Sequence, residues 1–230
     1  MAMGYRRLSF SAGTVCLGLL VSSVPAVADY RIETSIGIAH GDHDVTFSES
    51  VERFGLSIKS VSTVNGSGPT ITIGFWADGL IHENLSLGLE YLRIENSADL
   101  ALAARGPDQS VAVDADFELD ITTILVNAAY RRNGGAIHPY AALGIGAARA
   151  AGEVDSEITT GAPMSETGEV RFSDSNYAPA VQVAIGLDYD VTKRIYVGAA
   201  ARYFTIDTRL FGRDEVVREL AAGVKLGLSF

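Results

Sequence analysis

Residues 216–230 of the chain read VVRELAAGVKLGLSF, and this closing stretch decides the fold. Its even positions from Leu220 onward are apolar, whereas its odd positions from Glu219 onward are small or polar. Successive side chains of a β-strand point to opposite faces, so a period of two over this length predicts a strand with one apolar face. The last position of that apolar face is an aromatic residue, Phe230.

Seven further segments alternate in the same way, at residues 30–39, 70–77, 85–94, 120–131, 139–149, 177–189 and 195–203. The links after the second, fourth and sixth segments are short, whereas those after the first, third and fifth are long polar stretches at residues 43–68, 95–115 and 153–176. An even number of strands with short turns at one end and long loops at the other is typical of outer-membrane barrels. We therefore expect an all-β fold, an eight-stranded antiparallel up-and-down transmembrane β-barrel, with both termini at the short-turn end.

The two faces of the predicted strands differ in size as well as in polarity. One face carries large apolar residues, and the other is rich in Gly, Ala and Ser with occasional charges. A narrow barrel has room only for small side chains inside, so the apolar face is expected outside, against lipid. The stretch around Asp116 and Asp120 places acids on that outer face, and either an extension above the membrane or a β-bulge would explain it.

The first 28 residues have the features of a cleaved signal peptide, with Arg6 and Arg7, an apolar stretch at 10–21 and an Ala-Val-Ala site at 26–28. Residues 29–230 then form the barrel domain, and the cell outer membrane is the expected location. The net charge of −10 argues against nucleic acid as a partner, because binding to phosphates requires a basic surface.

Charged residues on the predicted inner face have to be paired, because an isolated buried charge costs several kcal/mol. These residues are Glu33, Glu90, Arg202, Glu219 and Lys225. The pattern predicts an ion-pair network inside a plugged lumen, and the alternative is a gate on a narrow path for protons or ions.

Three arginines lie on the outer face near the long-loop ends of their strands, namely Arg93, Arg149 and Arg218. Such a position costs little at the membrane interface, and a guanidinium group suits a phosphate. We therefore expect them to contact lipopolysaccharide, with ordinary rim arginines as the alternative.

The sequence contains only weak motifs for metal binding and catalysis. His40 and His43 have a spacing that metal ligands use, but no further ligands are defined, so no metal site is predicted. No cofactor is expected, and the His-x-Ser pair that a lipid A deacylase would need is absent from the sequence. We predict that the protein is not an enzyme.

Several motifs resemble the outer-membrane β-barrel domain family, which includes opacity-type surface antigens and small OmpA-like barrels of the porin family. They are LGLEY (87–91), NAAY (127–130), PYAALGIG (139–146), GLDY (186–189) and the closing VKLGLSF (224–230). The resemblance implies a Gram-negative envelope protein with a structural or surface-interaction role, such as an antigen or adhesin. The alternatives are a narrow porin for small solutes and a lipid-modifying enzyme.

The same resemblance implies partners. Leu226, Leu228 and Phe230 look like the assembly signal that the barrel-assembly machinery reads, and outer-membrane lipid and lipopolysaccharide would surround the wall. We expect a monomer, and the sequence names no extracellular partner or conducted solute.

Overall fold

A computed structural model describes residues 29–47, 60–105, 110–132, 134–160, 167–210 and 213–230. The predicted signal peptide therefore lies outside the described residues. Eight β-strands form one closed antiparallel barrel in sequence order, which confirms the predicted fold class. The strands are β1 (Asp29–Phe47), β2 (Ser60–Asp78), β3 (Leu85–Arg105), β4 (Ser110–Arg131), β5 (Ile137–Thr160), β6 (Thr167–Asp190), β7 (Ile195–Leu210) and β8 (Arg213–Ser229).

The strand register gives the barrel its tilt. Following paired residues once around the ring from Ile32 leads back to β1 at Asp42, which is ten residues further along (42 − 32). A stagger of this size in an eight-stranded ring corresponds to strands inclined at about 40° to the axis. The ring closes where Tyr30 of β1 exchanges backbone hydrogen bonds of 3.1 and 2.9 Å with Phe230.

Large apolar side chains face outward near the short-turn end, as the alternation predicted. Leu226 and Leu228 are each 51% exposed and Phe230 is 63% exposed. The same face continues around the ring with exposed apolar residues such as Ile36, Leu143 and Ile185. This band is the surface that meets the acyl chains of the membrane.

The prediction of long loops at residues 43–68, 95–115 and 153–176 is wrong for most of their length. β1 and β2 reach Phe47 and Ser60, β3 and β4 reach Arg105 and Ser110, and β5 and β6 reach Thr160 and Thr167. A strand needs only about 9–11 residues to cross a bilayer, so these strands of 19–24 residues project well beyond it. Residues 48–59, 106–109 and 161–166 lie outside the described residues.

The open question at Asp116 is answered in favour of an extension. β4 pairs continuously with β3 from Tyr130 to Ser110, so no bulge shifts the register. Above the membrane the polarity of the two faces is inverted: Asp116 and Glu118 face outward, and Phe117 and Leu119 are buried inside. Water, unlike lipid, favours charged residues on the outer face, so the period of two persists while the polar and apolar faces exchange places.

Candidate functional site

A polar cluster fills the lumen near the short-turn end. Lys225 lies 2.8 Å from Asp188 and 3.2 Å from Glu33, and Tyr196 donates a hydrogen bond of 2.9 Å to Glu33. Arg31 lies 4.0 Å from Glu33 and 3.8 Å from Asp188. We call these five residues, with Asp78 and Arg131, the lower cluster.

Two further contacts complete the lower cluster. Arg31 binds Asp78 in a two-pronged arrangement with distances of 2.5 and 3.0 Å, and Arg131 lies 3.5 Å from Asp188. Three cations therefore face three carboxylates; five of these six residues are buried and Asp78 is partly exposed. Pairing with an opposite charge is the condition under which buried charges are tolerated.

Aromatic rings separate the cations of the lower cluster. Lys225 Nζ lies 4.1 Å from the ring centre of Tyr140, and the guanidinium groups of Arg31 and Arg131 lie 5.6 and 5.4 Å from that of Tyr196. The negative faces of these rings attract cations and occupy the cross-section of the lumen.

A second group of polar side chains, which we call the middle cluster, lies further from the short-turn end than the lower cluster does. Arg202 contacts Glu90 at 2.8 Å, and Gln182 Nε2 donates to Glu90 at 2.9 Å and to Asn127 at 2.7 Å. All four side chains are at least nine-tenths buried. The middle cluster is neutral overall and crosses the lumen from β3 to β7.

Beyond the middle cluster the interior becomes apolar. On β3 and β7, buried apolar residues follow the polar ones towards the long-hairpin end: Leu92 and Ile94 come after Glu90, and Phe204 and Ile206 come after Arg202. We call this layer the apolar plug, and it consists of Leu92, Ile94, Leu119, Ile121, Leu125, Phe204, Ile206 and Val217. Glu219 lies within this layer and accepts a hydrogen bond of 2.6 Å from Asn96.

The five predicted lumen residues therefore lie in three places. Glu33 and Lys225 belong to the lower cluster, Glu90 and Arg202 to the middle cluster, and Glu219 to the apolar plug. Sequence reasoning did not include Asp188, Arg31 and Arg131 in the network, although their strand parity places all three on the inner face. The alternation of inward-facing and outward-facing residues along each strand was therefore sufficient to find these three residues.

The three rim arginines face outward but differ in their surroundings. Arg93 forms ion pairs with Glu95 at 2.9 Å and Asp120 at 2.7 Å. Arg149 lies in a shallow depression lined by acids of β4 and β5, and the structure gives neither Arg149 nor Arg218 an ion-pair partner among the described residues. Arg93 and Arg149 flank the same residue of β4, Thr122, so these two lie on one row.

Candidates for metal binding do not assemble in the described part of the chain. No group of three or more potential ligands is found there, His40 is exposed, and the side chain of His43 lies outside the described residues. Nor does the described part contain a helix long and apolar enough to cross a bilayer.

Comparison with known proteins identifies the family. Residues 14–230 match the model of the outer membrane protein beta-barrel domain. The chain belongs to this family. It is accordingly a protein of the outer membrane, and no curated protein matches it.

Solved structures with a similar fold are only distantly related in sequence. Neisserial surface protein A is 17% identical, with a TM-score of 0.44 and coverage of 88% of this chain and 97% of that one. OprG from Pseudomonas aeruginosa is 17% identical, with a TM-score of 0.47 and coverage of 88% and 96%. Ail of Yersinia pestis is 14% identical, with a TM-score of 0.35 and coverage of 88% and 99%.

Proposed function

We propose that this outer-membrane barrel is a structural, surface-interacting protein with a sealed lumen, and that it is neither a porin nor an enzyme. The observation that carries the proposal is the stacking of the middle cluster under the apolar plug. An ion on the barrel axis would have to displace the buried Glu90–Arg202 pair and then cross a layer made mostly of Leu, Ile and Phe side chains, in which Glu219 and Asn96 are hydrogen-bonded to each other. Crossing such a layer without water costs an ion many kcal/mol.

Conductance in planar bilayers tests the sealed lumen. The wild-type protein is expected to give no steady conductance steps. A variant with Glu90→Ala and Arg202→Ala is also expected to stay closed, because the apolar plug remains. Steady steps from the wild type would support the narrow porin instead, and steps that appear only in the variant would identify a polar gate.

The matched control for that measurement changes the outer wall at the same height. Tyr203 follows Arg202 on β7 and is 45% exposed towards lipid, so Tyr203→Ala leaves both layers intact. It should behave as the wild type does. The lipid-modifying alternative is tested separately by mass spectrometry of lipid A from cells with and without the protein, and unchanged lipid A is the expected result.

We propose lipopolysaccharide as a partner of the rim arginines, chiefly Arg149 and Arg218. Arg93 contributes less, because Glu95 and Asp120 already occupy its guanidinium group. Purified protein carrying Arg149→Gln and Arg218→Gln should retain less lipopolysaccharide phosphate than the wild type. Arg171→Gln is the control, since Arg171 is also exposed but pairs with Glu153 and Asp155. Equal retention by all three proteins would reject this role.

A further inference from the structure

The lipid-facing wall carries a groove near the short-turn end, where β7 and β8 run between β6 and β1. The groove has a volume of about 660 Å³, and the outward side chains that line it are mostly apolar, among them Leu187, Val197, Val224, Leu226 and Ile36. A volume of this size is typical of sites that bind small molecules. The groove is therefore large enough to hold part of a lipid molecule.

The strand register explains why the wall is recessed there. Ala199 of β7 lies between its partners Leu187 of β6 and Val224 of β8, and Ala201 is paired with Ala222 two residues further along. All three alanines share the outward-facing parity of their strands. A methyl group extends less far than the branched side chains beside it. These alanines therefore form a low strip that leads from the groove towards the middle of the wall.

The turn between β6 and β7 stands at the short-turn end of the groove and carries two adjacent cations, Lys193 and Arg194, both of which are exposed. Thr192 Oγ1 accepts hydrogen bonds from the N–H groups of Arg194 at 3.2 Å and Ile195 at 3.0 Å. The N–H of Ser229 donates to the carbonyl of Arg194 at 2.8 Å, which ties the turn to β8. The backbone that carries the two cations is therefore held beside the groove.

The charges of this turn are not balanced by nearby carboxylates. Within the part of the chain that the structure describes, neither Lys193 nor Arg194 takes part in a recorded ion pair, and Asp190 is already bonded to His138 at 2.8 Å. Val197, which lines the groove, follows Arg194 by three residues, a distance of about 10 Å along an extended strand. Positive charge thus stands at one end of an apolar groove, on the side of the membrane where the short periplasmic turns lie.

From the groove and the cations together we infer that this face binds one glycerophospholipid with an anionic head group, such as phosphatidylglycerol, from the periplasmic leaflet. An acyl chain would lie in the groove, and the phosphate would contact Lys193 and Arg194, whose charges are complementary to it. The groove lies outside the lumen and at the opposite end of the wall from the rim arginines, so the inference goes beyond the proposed function and does not depend on it.

A second copy of this chain fits the groove less well than a lipid does. Two copies in one membrane have the same orientation, so the two-fold axis of a dimer would run along the membrane normal. Such an axis would bring the cationic turns of both copies to the same level and close together, where Lys193 and Arg194 would repel their counterparts.

The test measures the affinity of the full-length barrel in detergent for phosphatidylglycerol and for phosphatidylethanolamine, by titration followed with native mass spectrometry. The wild type should bind phosphatidylglycerol about tenfold more tightly, because two cations face the anionic head group. Arg194→Gln should weaken binding of phosphatidylglycerol about fivefold. The matched control is Arg132→Gln, which removes the same charge from the exposed β4–β5 turn outside the groove and should have little effect.

A second pair of variants tests the groove itself. Ala199→Phe fills it with an apolar ring and should weaken binding of both lipids several-fold. Ala128→Phe places the same ring on the lipid-facing side of β4, away from the groove, and should bind both lipids as the wild type does. Unboiled electrophoretic mobility shows that each variant is folded, and Ala199→Leu replaces Ala199→Phe if the larger ring prevents closure.

Four results would overturn the inference. The first is equal affinity of the wild type for the two lipids, and the second is an equal loss in Arg194→Gln and Arg132→Gln, which would mean that charge acts without a site. The third is unchanged lipid binding by Ala199→Phe. The fourth is a dimer of the wild type that Ala199→Phe dissociates and Ala128→Phe does not, which would assign the groove to a second copy. None of these results bears on the conductance of the lumen or on lipopolysaccharide retention.

Discussion

At the scale of single residues, Asp188 is the carboxylate on which the charge balance of the lower cluster depends. It is 1% exposed and lies within 4 Å of three cations, Lys225, Arg31 and Arg131. Glu33 shares two of these cations, but no other residue of the described chain is recorded in an ion pair with Arg131. Loss of the Asp188 carboxylate would therefore leave Lys225 and Arg31 with one ion-pair partner fewer and Arg131 with none among the described residues.

Replacing Asp188 with Asn should destabilise the barrel strongly. The substitution keeps the size of the side chain but leaves three buried cations facing two carboxylates, and removal of one partner from a buried ionic group costs about 3–5 kcal/mol. Urea unfolding in lipid vesicles, followed by tryptophan fluorescence, measures the loss. Asp207→Asn is the control, since Asp207 is exposed on the outer face of β7. Equal stability of the two variants would mean that the lower cluster is not coupled to folding.

Glycines of the inner face make room for the large lumen side chains on neighbouring strands. Gly186 lies opposite Tyr140, and a Cβ atom at Gly186 would come within 2.5 Å of the Tyr140 ring. Gly88 bears the same relation to Trp76. The large side chains therefore lie flat across the neighbouring strand, and the lumen is filled although many inner positions lack a side chain.

Gly186→Ala should cost about 1–3 kcal/mol of stability, because the added methyl group forces Tyr140 away from Lys225. A double-mutant cycle with Tyr140→Ala isolates this effect. In the Tyr140→Ala background the glycine substitution should have little further effect, since no ring remains to be displaced. An equal cost in both backgrounds would locate the strain elsewhere.

At the scale of strands, the extension beyond the membrane is a second zone, whose apolar interior continues that of the apolar plug. Phe117 is 5% exposed and packs with Leu119 and Val154 inside the extension. Glu118, between Phe117 and Leu119, faces outward into water. The wall of the extension therefore has polar residues outside and apolar residues inside, as in a water-soluble barrel, whereas the wall within the bilayer has apolar residues outside.

Phe117→Ala should loosen the extension while leaving the membrane barrel closed. Truncation of a buried phenylalanine costs about 3–5 kcal/mol, and the apolar neighbours of Phe117 lie in the extension. We expect faster hydrogen exchange for the β4 amides between residues 112 and 119, with unchanged exchange between 124 and 130. Glu118→Ala is the matched control and should leave both regions unchanged. Uniformly faster exchange along β4 would show that the two zones unfold as one unit.

The strands could be predicted from the sequence within the bilayer but not above the membrane surface. Within the bilayer, the apolar outer residues made all eight strands and their faces readable from alternation alone. Above the membrane surface, the same period of two continues with polar residues outside, as in Asp116–Leu119. Because apolar outer faces were the criterion for a strand, these parts of the strands were predicted to be loops. The lumen charges were predictable as inward-facing, but their partners were not. Lys225 and Glu33 are 192 positions apart in sequence, and only the register of the closed ring brings them together.

At the scale of the whole molecule, closure between β1 and β8 joins the two ends of the described chain. Phe230 exchanges two backbone hydrogen bonds with Tyr30, and the rings of the two residues stack at 6.4 Å. Tyr30 stacks in turn on Phe75 of β2 at 5.8 Å. The last residue therefore takes part both in the ladder that closes the barrel and in an aromatic group on the lipid-facing rim.

Phe230→Ala should impair assembly in the cell without impairing folding of the purified chain. The substitution keeps both backbone hydrogen bonds to Tyr30, so the purified variant should still refold in detergent and show the shift in electrophoretic mobility between unboiled and boiled samples. If Leu226, Leu228 and Phe230 form an assembly signal, the amount of folded protein in the outer membrane should fall several-fold, since a recognition contact is lost while the fold is retained. Ser229→Ala, on the opposite face of the same strand, should assemble normally. A variant that fails equally in detergent and in cells would assign Phe230 to closure of the ring alone, because the aromatic group with Tyr30 would then be needed for folding itself.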